Sequence, residues 1–318
     1  MITGKKSLNK LTVLLLLIAS IVGPYTALAD NVQPVVILLS EQEEAYSSPI
    51  KGFSSEIGIP VETFNLLGNV EKAPAIMSRI LARKPRLIFA LGAKAAVVSK
   101  VWTASRPDVP VVFAMVLNWE RYDLIVPNGN VTGIAYDIDP GTFLASLSMV
   151  SPSSTTVGVI YNDEQSGQKV NLARRAAAIL NLEIIEKTVD RPQDFQRAFK
   201  VMADSIDSYW ILADPVVYTL ENISWLEKRC LKNKLICLGP SENVTKLGVI
   251  MSVESDIKNI GIQAASLARS ILEHKQNPGK LGIVPPIGTQ LYINNKTARK
   301  IGLQVNQNVL DNAADVID

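Results

Sequence analysis

Histidine and cysteine are scarce in this chain, which has one His and two Cys among 318 residues, and neither sign of charge dominates, with Lys+Arg 32 against Asp+Glu 30. Two cysteines cannot build a small domain held by several disulfides. A balanced charge argues against a dedicated nucleic-acid-binding protein, which would carry a basic excess. His274 stands at the predicted end of a helix, where a solvated cation is expected, so catalysis by histidine is not indicated.

The motifs of the common enzyme classes are also missing. The sequence contains no G-x-S-x-G elbow, no phosphate-binding Walker loop and no G-x-G-x-x-G after a predicted strand. With one histidine and two cysteines, a metal site is not indicated either. We therefore expect a protein that is not an enzyme and that uses no cofactor.

The first 29 residues have the three parts of a secretory signal peptide. Lys5, Lys6 and Lys10 precede the apolar run 11–22, and Ala27-Leu28-Ala29 is a cleavage signal of small residues. No cysteine lies near the cleavage site, so a lipid anchor is not expected. The pattern predicts export, with residues 30–318 forming a periplasmic protein. No later apolar run is long enough to span a membrane.

From residue 33 onward, short apolar runs alternate with longer amphipathic stretches, which is typical of parallel sheets covered by helices. A first series of strands and helices ends near residue 116, and a second series begins after Pro152. The length suits two compact units. The sequence therefore predicts an α/β protein with two similar lobes that face each other across a cleft, and ligands of such sheets bind beyond the carboxyl ends of the strands.

Cys230 and Cys237 allow two interpretations. They are predicted near the end of a helix and within the next strand, and cysteines of an exported chain often pair. Two small buried residues without a covalent bond are equally compatible with that pattern. Their spacing is not C-x-x-C, so a redox-active pair is not indicated.

Five stretches carry a resemblance to a known family: 84–92, 109–114, 130–134, 157–162 and 291–303. The last contains Asn294, Thr297, Ala298 and Gly302 in the pattern N-x-x-T/A-A-x-x-x-G. Taken together in their order, these stretches resemble the periplasmic substrate-binding proteins of ABC importers, a family that includes proteins for tryptophan and tyrosine uptake. The similarity covers nearly the whole predicted mature chain.

The resemblance implies the type I periplasmic binding fold, in which two Rossmann-like lobes with parallel sheets are joined by three crossovers that act as a hinge. Lobe 1 would contain residues 30–134 and 254–284, and lobe 2 residues 135–253 and 285–318. The crossovers would lie near 132–136, 253–256 and 285–289. Gly133 and Gly288 are placed to absorb the hinge motion.

The resemblance also indicates candidate ligand-binding residues, although some family residues are replaced. Where the family has Gly-Thr this chain has Gly92-Ala93-Lys94, which keeps a helix N-terminus for an anion. The family's Asp-Pro is Asn118-Trp119 here. Asp214 and Asp256 stand where the family has aspartates. Asp214 is expected to hold an ammonium group or, alternatively, to cap the next helix. The remaining candidates are Tyr136 and Trp119 for stacking, Asn162, and Ser241.

The function implied is the capture of a small organic ligand, with amino acids and aromatic compounds among the candidates. The partner would be the membrane permease of an ABC importer, and a monomer is expected. An alternative from another class is a periplasmic sensor that presents its closed form to a membrane signalling receptor. No nucleic acid is expected as a partner.

Overall fold

The computed structural model describes Met1 and residues 33–318. Apart from Met1, the predicted signal peptide lies outside the described residues. In the described part of the chain, no helix is both long enough and apolar enough to cross a membrane.

The first sheet has six parallel strands in the order β11-β5-β4-β3-β1-β2. Its strands are β1 (Val35–Leu39), β2 (Val61–Asn65), β3 (Leu87–Leu91), β4 (Val111–Ala114), β5 (Val131–Ile134) and β11 (Ile283–Val284). Four helices belong to the same half: α1 (Ser47–Ile57), α2 (Ala73–Ala82), α3 (Ala93–Thr103) and α9 (Ile257–His274). We refer to this half as lobe 1.

The second sheet has seven strands in the order β13-β12-β10-β9-β8-β6-β7. They are β6 (Thr156–Tyr161), β7 (Glu183–Thr188), β8 (Ser208–Trp210), β9 (Ile236–Gly239), β10 (Met251–Ser255), β12 (Thr289–Asn294) and β13 (Asp315–Ile317). We refer to this half as lobe 2. Its helices are α4 (Pro140–Val150), α5 (Asp163–Ile179), α6 (Phe195–Met202), α7 (Leu220–Asn233), α8 (Glu242–Lys246), α11 (Asn295–Ile301) and α12 (Gln307–Asp311). The short helix α10 (Pro278–Leu281) precedes β11 of the first sheet.

Each sheet is covered on both faces, which explains the continuous apolar runs of its central strands. In β1 all five residues are buried, and alternate side chains enter different cores. Val35 and Ile37 pack with α1 and α9, whereas Val36 and Leu38 pack with α2 and α3. Lobe 2 has the same two-core arrangement.

The chain passes between the two sheets three times, after β5, after β10 and after β11. This architecture confirms the expected α/β fold of two Rossmann-like lobes joined by three crossings. The predicted lobe bounds stay a prediction. The strands of the first sheet come from 35–134 and 283–284, and those of the second from 156–255, 289–294 and 315–317.

Two details differ from expectation. β12 runs antiparallel to β10, so the second sheet is mixed rather than purely parallel. Gly133 lies inside β5, where a Cβ would come 2.6 Å from the carbonyl oxygen of Phe113, so it serves strand packing and not a hinge. Gly288 does lie in the third crossing, with a φ of 86°. The long helix α9 ends at Lys275, in the left-handed conformation, before the Pro278-Gly279 pair.

Cys230 and Cys237 are joined by a disulfide that links the last turn of α7 to β9. Of the two interpretations that the spacing allowed, the structure has the covalent one. The bond closes a short helix-to-strand connection within lobe 2.

Helices α1 and α9 pack so closely that glycine is required at their contact. A Cβ on Gly261 would clash with the backbone carbonyl of Pro49, and one on Gly52 would clash with the carbonyl of Lys258. Both neighbours are backbone atoms, which cannot rotate away. The pair of glycines therefore sets the distance between these helices.

We expect Gly261→Ala to lower the free energy of unfolding by about 1–3 kcal/mol, the usual cost of overpacking. Gly167→Ala is the matched control, because only the movable carboxylate of Asp163 lies close to that helical glycine. The control should be neutral or stabilise by up to about 1 kcal/mol through helix propensity. Urea denaturation measures both variants, and equal stabilities would contradict the role of Gly261 in helix packing.

Candidate functional site

The carboxyl ends of the parallel strands of both sheets face one cleft, and two cavities lie in it. The first, which we call the aromatic cavity, is lined by residues that follow β4 and β5 in lobe 1 and β8 and β9 in lobe 2, and by the end of β10. The second, the outer cavity, is lined by residues that follow β4, by the start of α5 and by the crossings. Both cavities therefore have walls from both lobes.

Aromatic rings form much of the wall of the aromatic cavity. Phe143 of α4 and Trp210 of β8 lie with their ring centres 5.4 Å apart, and Tyr136 follows β5 on the other side. Leu117 closes the cavity from lobe 1 and is 46% exposed. The cavity is partly open to solvent, and its volume is about 70 Å³.

Glu254 brings a carboxylate to this mostly apolar wall. Burial raises the pKa of Glu254, and the repulsion from Glu242 adds to the rise. The backbone N–H of Glu242 and the ammonium of Lys246 act in the opposite direction. Burial also raises the pKa of Tyr136 to about 12, with contributions from the negative charges of Glu254 and Asp137. The phenol of Tyr136 is therefore neutral at physiological pH.

An ion pair separates the two cavities. The ammonium of Lys169 in α5 lies 2.6 Å from Oδ1 of Asp137, and the side chains are only 21% and 16% exposed. Both residues line both cavities. Oδ2 of Asp137 accepts a hydrogen bond from the backbone N–H of Asn118 at 2.8 Å. The carboxylate of Asp137 thus holds the loop after β4 and the helix α5 together.

Between described side chains, two hydrogen bonds join lobe 1 to helix α5 across the cleft. Lys169 of lobe 2 donates to the side-chain oxygen of Asn118 in lobe 1 at 3.3 Å. Arg121, in the short 3-10 turn after β4, donates to the side chain of Gln165 in α5. The outer cavity beside these contacts has a volume of about 440 Å³.

A family model described as "ABC transporter substrate binding protein" matches residues 52–317. The chain belongs to this family. A search of curated proteins found no match to the sequence. The family membership confirms the resemblance found in the sequence and establishes a substrate-binding protein, a class defined by binding rather than by catalysis.

Solved structures agree on the fold. A substrate-binding protein with adhesive properties from Clostridium difficile, in its ligand-free, open structure, is 18% identical with a TM-score of 0.75, covering 89% of this chain and 98% of its own. A conserved domain protein from Vibrio cholerae is 21% identical with a TM-score of 0.61, covering 89% and 99%. An ABC domain from Streptococcus pneumonia in complex with L-Trp is 18% identical with a TM-score of 0.60, covering 89% and 100%.

The binding protein places three predicted residues at the cavities. Tyr136 lines the aromatic cavity, and Asn118 and Trp119 line the outer one. Asn118 adopts a left-handed backbone conformation with a φ of 48°, which starts the 3-10 turn. Trp119 also packs on the core between the first sheet and helices α2 and α3, so its ring serves both the core and the cavity wall.

Gly92, Ala93 and Lys94 form the N-terminus of α3 but line neither cavity. At this helix end, the hydroxyl of Ser40 accepts a hydrogen bond from the N–H of Ala95 at 2.8 Å. Lys94 forms an exposed ion pair with Glu41 at 2.6 Å. Groups of lobe 1 thus already contact this helix end, and the anion-binding role predicted for it stays a prediction.

Asp214 is 2% exposed, and both its carboxylate oxygens are used inside lobe 2. Oδ2 accepts from the N–H of Asn162 at 2.9 Å and from the hydroxyl of Ser166 at 2.8 Å. Oδ1 accepts from the N–H groups of Val216 and Val217 at 3.0 and 3.3 Å. Asp214 therefore caps the turn at 215–217 and not helix α7, whose N-cap is Thr219. Its predicted contact with a ligand ammonium stays a prediction.

The other three candidates each stand immediately before a helix. Asn162 caps α5 and donates to the carbonyl of Val189 at 3.2 Å. Asp256 caps α9 and accepts from the side chain of Asn259 at 2.9 Å. Ser241 precedes α8 without capping it and follows Pro240, which lines the aromatic cavity. A ligand-binding role for these three stays a prediction.

Sequence reasoning missed the residues that dominate the cavity walls. Asp137, Lys169 and Glu254 are charged residues on a crossing, a helix and a strand, and no motif marks them. Glu254 was assigned to the second crossover, 253–256, whereas the structure places it in β10. The apolar surroundings of Phe143 and Trp210 in the sequence are typical of core residues, and both side chains are largely buried. In the described part of the chain, no cluster of His, Cys, Asp and Glu could hold a metal ion.

We expect Asp214→Ala to destabilise the protein by at least about 3 kcal/mol, since several buried donors lose their acceptor and each can cost about 1–3 kcal/mol. Asp256→Ala is the matched control, a helix cap whose loss should cost about 1 kcal/mol. Thermal melting measures both. A normal melting temperature for the Asp214 variant, combined with lost ligand affinity, would instead support its predicted contact with a ligand.

Proposed function

We propose that this chain is a periplasmic solute-binding protein that captures a small organic molecule between its lobes and delivers it to the membrane permease of an ABC importer. The observation that carries the proposal is the aromatic cavity, which has walls from both lobes and lies beside the three crossings. The predicted signal peptide supports the periplasmic location. We propose a monomer as the working form.

The size of the aromatic cavity supports a mechanism in which the lobes move apart. About 70 Å³ is too little for an organic solute, because even a cavity for benzene is about 150 Å³. Opening must break the hydrogen bonds of Lys169 with Asn118 and of Arg121 with Gln165. Both are partly solvated polar contacts, and each costs about 0.5–1.5 kcal/mol to lose. A bound solute would then restore them and hold the lobes closed.

The crossings allow such a motion without disordering either lobe. The hydroxyl of Ser255 donates to the carbonyl of Tyr136 at 2.9 Å, and the N–H of Asp256 donates to the carbonyl of Gly288 at 3.2 Å. These bonds join the second crossing to the first and the third. Rotation is then restricted to a few residues, as in other hinge closures.

Ligand binding should appear as stabilisation of the chain expressed from residue 30. A solute at about 100 times its dissociation constant stabilises by about 2.7 kcal/mol. The measurement is thermal melting against amino acids, amines, small acids, nucleosides and sugars, followed by small-angle X-ray scattering, in which closure reduces the radius of gyration. A complete absence of stabilisation over this panel would contradict the proposed function.

We expect Leu117→Ala to weaken binding of the identified solute at least fivefold, because Leu117 contributes apolar surface to the aromatic cavity. Each buried methylene contributes about 0.8 kcal/mol. Leu247→Ala is the control, since Leu247 is similarly exposed, at 55%, and lies outside both cavities. Isothermal titration calorimetry compares the two, and equal affinities would place the solute elsewhere.

Delivery to an importer is tested in cells. Deleting the gene for this chain should abolish high-affinity uptake of the radiolabelled solute, and reintroducing it should restore uptake. Unchanged uptake together with a lost transcriptional or behavioural response to the solute would favour the alternative, a periplasmic sensor.

A further inference from the structure

Carboxylates predominate on the walls of the cleft. Among the described residues that line the two cavities, six are acidic and two are cationic. The acidic residues are Glu120, Asp137, Asp139, Asp163, Glu164 and Glu254. A cleft of low-dielectric walls concentrates the field of such charges and attracts solutes of the opposite sign.

The two cations of the cleft are already engaged. Lys169 pairs with Asp137 at 2.6 Å and also donates to Asn118, while Arg121 donates to Gln165. At the N-terminus of α3, the hydroxyl of Ser40 accepts from the N–H of Ala95, and this helix end lines neither cavity. The walls therefore offer little to the carboxylate of an incoming solute.

The aromatic cavity has the opposite character and suits a cation. Tyr136, Phe143 and Trp210 provide ring faces, which attract ammonium groups through the charge distribution of the ring. Glu254 lines the same cavity and can form a charge-assisted hydrogen bond. Its partial burial raises its pKa, although the N–H of Glu242 and the ammonium of Lys246 oppose the rise. A cation bound beside it would stabilise the charged carboxylate further.

We propose that the solute is an organic cation without a carboxylate: an ammonium group held by Glu254, attached to a small apolar or aromatic body packed on Tyr136, Phe143 and Trp210. This inference rests on the proposed solute-binding function and specifies its ligand class. It departs from the amino-acid ligand that the sequence resemblance suggested.

The test compares amino acids with the amines that lack only the carboxylate. Tyrosine is paired with tyramine, tryptophan with tryptamine, and leucine with isoamylamine, and tetramethylammonium and choline represent quaternary ions. Binding is measured by calorimetry on the chain from residue 30. We expect at least one amine or quaternary ion to bind, and at least tenfold more tightly than its amino-acid counterpart where one exists.

Glu254→Gln identifies the residue that reads the charge. We expect it to weaken binding of the preferred cation at least tenfold while the melting temperature of the unliganded protein stays close to that of the wild type. Glu183→Gln is the matched control, because Glu183 also lies in a strand of lobe 2, is exposed and lines neither cavity. The control should change affinity less than threefold.

The outcomes separate this inference from the proposed function. Binding of amino acids, acids or sugars without binding of amines would overturn the cation inference and leave solute binding intact. Equal losses in both glutamate variants would overturn the direct contact with Glu254, since they would reveal a general effect of charge. Only failure of every compound class to bind would overturn the proposed function itself.

Discussion

The three crossings between the sheets are the constraint on which the rest of the structure depends. They join the lobes at one edge, next to β5, β10 and β11, and hydrogen bonds through Ser255 and Asp256 hold them side by side. The lobes can therefore rotate about this edge but cannot separate. Because the strands of each parallel sheet end on the same side, the crossings also bring both carboxyl edges to one cleft. The position of the aromatic cavity follows from this topology.

Within the cleft, polar contacts between the lobes and the apolar wall of the cavity have different roles. The contacts made by Lys169 and Arg121 are weak and reversible, since water can replace each partner when the lobes part. The aromatic wall gains free energy only when apolar surface is removed from water, which an enclosed solute would complete. Under the proposed function, a solute that contributes to both would favour the closed state. The ion pair of Lys169 with Asp137 stands between the cavities and couples helix α5 to the loop after β4.

The fold could be predicted from the sequence because its signals are local and redundant. Buried strands such as β1 and β3 are unbroken apolar runs, and α9 shows an apolar stripe over its full length. Elements without such signals were missed. Among them are β5, which was assigned to a crossover, and α4, which is the next helix along the chain. The antiparallel pairing of β12 depends on how the chain returns after the third crossing, and no pattern within 289–294 encodes strand direction.

The site was harder to predict because a residue's place after a strand does not say what its side chain contacts. Asp214 follows β8 as the resemblance required, but four donors of lobe 2 surround its carboxylate. Glu254 lies at the end of β10 and lines the aromatic cavity. A carboxylate that is saturated by its own lobe has little left for a solute, whereas in the proposed complex an arriving cation would stabilise the partly buried Glu254. The balance of satisfied and unsatisfied charge, more than the position of conspicuous residues along the chain, determines which side chains in this cleft can recognise a ligand.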